Sequence, residues 1–120
     1  MSEVRLPAPV IGKRAMNLRE DGADAPGTFA YGVSYSDSDR KVGLFYRCPC
    51  GCGTEHYIGF KPPSEDDVKY ARDTWAWDGN IEAPTVSPSI HSHDWVEGIP
   101  VAQMPTHWHG WLQGGVFKQA

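Results

Sequence analysis

The sequence predicts a mainly β fold: a small antiparallel sheet or sandwich of short strands and hairpins, with one short helix. Three observations predict it. Phe29, Tyr31, Val33 and Tyr35 alternate with Ala30, Gly32 and Ser34, the period-two pattern of a half-buried strand. Thirteen Gly and ten Pro are spread along 120 residues, which disfavours long helices and favours strands joined by tight turns. All three cysteines fall in Cys48-Pro49-Cys50-Gly51-Cys52-Gly53, between two further strand-like runs, as a metal-clamped hairpin tip would require.

Residues 1–28 read as an extended N-terminal arm, interrupted by Pro7, Pro9 and Pro26. Residues 29–120 read as one zinc-stabilised β-domain. Its first hairpin joins the Phe29 run to Lys41–Arg47 through the turn Ser36-Asp37-Ser38-Asp39. A third strand covers His56–Phe60. Pro62-Pro63 ends it, and Ser64 opens a short helix over about 64–73. Ser64 and Asp67 have capping-box spacing, Glu65, Asp66 and Asp67 complement the helix dipole, and Val68, Ala71 and Trp75 share a face. Trp75-Ala76-Trp77 reads as a strand entering a turn at Asp78-Gly79. Ala83–Ile90 is extended, because Pro84 and Pro88 push the residues before them out of the helical region. His91–Pro105 is expected to be a loop. His107–Leu112 and Val116–Lys118 form a last hairpin across Gly114-Gly115.

Composition narrows function. The net charge is −4 with no Lys/Arg cluster, so nucleic-acid binding is not expected. No apolar run approaches the roughly 20 residues of a membrane span. The N-terminus lacks the regions of a secretory signal. Three closely spaced cysteines make a poor disulfide framework and fit reduced thiols, which points to the cytoplasm.

A metal explains the cysteines. In a flat strand alternate residues stand about 6.6 Å apart, whereas thiolates on one tetrahedral zinc lie about 3.7 Å apart. The backbone must therefore curl, and Gly51 and Gly53 permit it. Cys48, Cys50 and Cys52 supply three ligands of one Zn2+ per chain. The fourth is expected from a histidine: His107 or His109 on the last hairpin, or alternatively His56, His91 or His93.

The run Cys48-Pro49-Cys50-Gly51-Cys52-Gly53, with Asp78-Gly79, Pro84-Thr85-Val86-Ser87-Pro88-Ser89-Ile90 and a late His109, resembles a small uncharacterised family of phage and bacterial proteins. Some of its phage members carry the label ammonia monooxygenase. The resemblance covers about Leu44 to Phe117. It implies a structural zinc site clamping the first hairpin to the last. The family's late segment reads Cys-His, and Trp108 stands where that cysteine would be. The departure makes His107 or His109 the expected replacement, ordered His109, His107, then His56 and the pair His91 and His93.

These readings favour a non-enzymatic zinc-binding β-domain, a phage-encoded accessory, virion or host-interaction protein. It would act through contacts with a phage or host protein, in the host cytoplasm or the virion. Trp95, Trp108 and Trp111 are the interface candidates, and no catalytic residue is singled out. The alternative is a zinc-dependent hydrolase with an open metal position, walled by Thr85, Ser87, Ser89, His91, His93 and Asp94. The chain lacks H-E-x-x-H, the deaminase Cys-x-x-Cys and the G-x-S-x-G elbow, which weighs against an enzyme.

Overall fold

The alternating runs become strands in the computed structural model, which describes residues 4–34, 36, 37, 39–61 and 74–120. In chain order the strands are β1 (Val10–Ile11), β2 (Lys13–Arg14), β3 (Thr28–Val33), β4 (Lys41–Arg47), β5 (Glu55–Phe60), β6 (Thr74–Trp77), β7 (Val86–Ser87), β8 (Ile90–His93), β9 (Thr106–Gln113) and β10 (Val116–Gln119). They form a four-stranded sheet, β1-β10-β9-β8, and a six-stranded sheet, β2-β3-β4-β5-β6-β7. Neighbours run antiparallel except β2 with β3 and β5 with β6, which are parallel.

The chain passes between the sheets at both edges. Gly12 links β1 of one sheet to β2 of the other, and Pro88-Ser89 links β7 to β8. Each crossing is a corner where a strand leaves one sheet and joins the next. Residues alternating inward fill the space between. Phe29, Leu44, Tyr46, Ile58 and Phe60 from the larger sheet cluster with Ile90, Trp108, Leu112 and Phe117 from the smaller one. The Phe117 ring lies 5.5 Å from Tyr46 and 6.1 Å from Trp108, so it touches both layers. The last hairpin turns on Gly114 and Gly115 at φ 56° and 76°, which only glycine adopts readily in both positions of so tight a turn.

The mainly β prediction holds, with two differences in detail. The start of the expected loop, His91 to His93, is strand. Its inward positions are only Ile90 and Ser92, and a serine conceals the alternation. Ser92 is buried because its hydroxyl donates to the Trp108 carbonyl at 3.1 Å. The N-terminal arm adds a short strand to each sheet, Val10 opposite Phe117 and Arg14 beside Phe29. The helix expected over about 64–73 lies outside the described residues.

Gly110 sits opposite Ile90, under the corner. A Cβ there would fall 2.2 Å from the Lys118 carbonyl oxygen and 2.2 Å from the Trp108 indole. Gly110→Ala is therefore expected to lower stability by about 1–3 kcal/mol through overpacking. A lower urea midpoint with unchanged slope is the measurement.

Candidate functional site

The cysteine loop closes between β4 and β5. The Cys48 N–H donates to the Thr54 carbonyl at 2.9 Å, and Gly51 and Gly53 take φ values of 92° and 83°. Arg47 braces the loop from behind. Its guanidinium donates to the carbonyls of Leu18 at 2.9 Å, Gly53 at 3.2 Å and Ala23 at 3.4 Å. The curl brings Cys48 Sγ to 3.2 Å from Cys50 Sγ.

His107 completes the cluster from β9. Its Nε2 lies 3.4 Å from Cys50 Sγ and 3.5 Å from Cys52 Sγ. Sulfur and imidazole nitrogen on one tetrahedral zinc stand about 3.6 Å apart, so the spacing fits. The donor atoms of Cys48, Cys50, Cys52 and His107 all lie within 4.8 Å of one another, and the four could hold a metal ion. His107 Nδ1 donates to Asp94 Oδ1 at 2.9 Å, which turns Nε2 toward the sulfurs.

Acidity differs along the loop in the metal-free chain. Burial pushes the Cys48 thiol far above its ordinary value, and the neighbouring thiols add to that. Burial also opposes ionisation of Cys52, but hydrogen bonds from Thr54, Cys50 and His107 outweigh it and bring the thiol down to about 6. At neutral pH a metal must thus displace the Cys48 proton but finds Cys52 largely ionised.

The other histidines go elsewhere. Ser92 pairs with Trp108 but His93 pairs with Thr106, a register shift that leaves His107 without an opposite residue. Such a shift re-aims a side chain. It breaks the simple rule that His107 and His109 face alike, so His107 rather than the preferred His109 reaches the thiols. His56 faces inward on β5 with its ring 6.3 Å from that of His107, outside the cluster. Burial, then the neighbouring His107, lowers its pKa. His91 and His93 sit on one face of β8 with their rings tilted against each other, centroids 4.5 Å apart. Of the interface candidates, Trp95 and Trp111 are exposed, but Trp108 is fully buried because it points inward between the sheets.

A second arrangement was not anticipated. Ser89 Oγ lies 2.9 Å from His109 Nε2, at the corner between β7 and β8. His91, opposite His109 in the ladder, stacks on its ring at 5.0 Å. The Trp75 indole donates to the Ser89 carbonyl at 3.2 Å and steadies the corner. A serine hydroxyl on an imidazole nitrogen is the pairing of nucleophile and general base. Twenty residues separate the two, and no local spacing announces them. Their one trace in the sequence is that Ser89 and His109 both fall in the motifs that carry the resemblance.

A family model described as bacterial ubiquitination-like system serine protease, BubE, matches residues 19–120. The chain belongs to the BubE family. No curated protein and no solved structure is significantly similar to it. The BubE description names an enzyme of a bacterial system, which overturns the expectation of a non-enzymatic phage protein. In the sequence the cysteines point to a structural role, whereas the serine and histidine are joined only by the fold. Among the described residues, no helix is long and apolar enough to cross a membrane.

Asp94→Asn should leave the four donors in place but weaken metal affinity about 10–100-fold by releasing the His107 ring. Cys50→Ser should abolish stoichiometric binding. Competition against a chromophoric chelator measures both. Affinity should also rise with pH through neutrality, because binding expels the Cys48 proton.

Proposed function

We propose that this chain is a serine peptidase of a bacterial ubiquitination-like system, with Ser89 as nucleophile and His109 as general base. The observation that carries this reading is the 2.9 Å contact between Ser89 Oγ and His109 Nε2. Membership of the BubE family supports it. Ser89 Oγ attacks the scissile carbonyl carbon while His109 Nε2 takes the hydroxyl proton. The imidazolium then returns that proton to the leaving amine as the carbon–nitrogen bond breaks. Water, deprotonated by the same nitrogen, hydrolyses the acyl-serine and restores the pair. His91 stacked against His109 limits the swing of the base between these steps.

The metal in this reading is zinc, bound by Cys48, Cys50, Cys52 and His107. A donor set rich in thiolate suits zinc above other abundant divalent ions. Four protein donors complete a tetrahedral shell, so zinc serves the fold. The protein partner is the substrate itself, met in a reducing cytoplasm.

The test is covalent labelling with diisopropyl fluorophosphate followed by peptide mapping. One adduct per chain on Ser89 is expected. Ser89→Ala should abolish labelling, and His109→Ala should slow it at least about 1,000-fold while leaving metal content at one ion per chain. Labelling at another serine, or undiminished labelling of the His109→Ala variant, would overturn the reading.

A further inference from the structure

The outer face of the smaller sheet holds a second feature beside the proposed nucleophile. In the β8–β9 ladder Ile90 pairs with Gly110 and His91 with His109. Continued one residue beyond the end of β8, that register puts Ser89 level with Trp111. Alternation on β9 buries Trp108, Gly110 and Leu112 and leaves His109 and Trp111 on the outer face. The base and the indole therefore flank the serine on one face, with Trp111 37% exposed.

An exposed tryptophan alone says little, since single apolar residues at a surface are common. Position decides here. Residues directly opposite in antiparallel strands have Cβ atoms about 4.5–5.5 Å apart, and Ser89 precedes the paired Ile90 by one residue, which sets it near the indole. Across from Trp111 on the other side stands Lys118. No Asp or Glu occurs in β8, β9 or β10, although the whole chain carries a net charge of −4. An apolar group laid on that surface would therefore desolvate no carboxylate of these three strands.

We propose that the indole of Trp111 is the platform on which an apolar substrate side chain, adjacent to the scissile bond, is held. This rests on the reading of Ser89 and His109 as nucleophile and base. A flat ring offers a large contact area with little side-chain freedom to lose, and its face accepts aliphatic and aromatic groups alike. Trp111 is thus a residue of specificity, and it takes no part in moving the proton.

The experiment uses the full chain with its metal and a library of peptides from a proteome digest. The intact protein should cut with an apolar residue enriched at one position next to the scissile bond. For the best-cut peptide, Trp111→Ala should raise KM about tenfold with kcat within about twofold, and Trp111→Phe should restore most of the affinity. Labelling of Ser89 by diisopropyl fluorophosphate, too small to need the platform, should proceed at the same rate in all three proteins. An unchanged KM and unchanged sequence preference in Trp111→Ala would overturn the proposal, with the serine reading intact. So would peptides left uncut by a protein that labels at Ser89. Slowed labelling of Trp111→Ala would make the indole a support of the catalytic pair and equally overturn it. Failure of the intact protein to label at Ser89 removes the underlying reading and the platform together.

Discussion

The arrangement depends on one shift of register in the ladder between β8 and β9. Because Ser92 pairs with Trp108 and His93 with Thr106, three consecutive residues of β9 face three destinations. His107 turns to the thiols, Trp108 enters the core, and His109 meets Ser89. Strict alternation would send His107 and His109 the same way and leave either the cluster or the serine without its imidazole. The shift needs support, because an unpaired residue in a ladder loosens it. Asp94 gives that support by accepting from His107 Nδ1, and its own N–H donates to the Pro105 carbonyl at 2.9 Å.

From this constraint the two sites acquire a mechanical relation. The cysteine loop belongs to the larger sheet through β4 and β5, while His107 belongs to the smaller one. A metal held by all four would join the layers at one end, as Gly12 and Pro88-Ser89 join them at the edges. In a domain of 120 residues such a bond substitutes for core that the chain is too short to build. The proposed catalytic pair lies at an edge crossing, where a residue can be exposed on a corner yet fixed by strands on both sides. His109 thus sits on a strand held by the core and, through His107, by the cysteine cluster.

Much of the scaffold was legible in the sequence. Lys41–Arg47 and the strands after it follow from alternation, and the need for a curl at Gly51 and Gly53 follows from sulfur spacing. The choice between His107 and His109 was not legible. A two-residue period puts them on one face, and only the pairing with β8 reveals the shift. Ser89 was hidden for a different reason. Directly after Pro88 it reads as a turn former, and its partner lies on another strand of the folded sheet. His91 and His93 looked like loop residues because their buried neighbours are one isoleucine and one serine. Periodicity reports burial, and it carries no information on which polar atoms from distant segments converge.

A thiolate cluster and a serine peptidase description are compatible because the two sites ask for opposite properties. Three sulfurs donate strongly to a metal, leave it weakly electrophilic and, with His107, fill a tetrahedral shell, so the cluster is a poor place for water activation. The only imidazole it uses is committed at both nitrogens, to sulfur and to Asp94. His109 instead bonds a hydroxyl oxygen, which is what proton transfer to and from an attacking alcohol requires. Hydrolysis also needs the reacting carbonyl to reach the nucleophile from solvent. Ser89 is partly exposed at its corner, whereas Cys48 is completely buried. With His107 and His109 two positions apart on one strand, a bound metal would fix the geometry without entering the proposed chemistry.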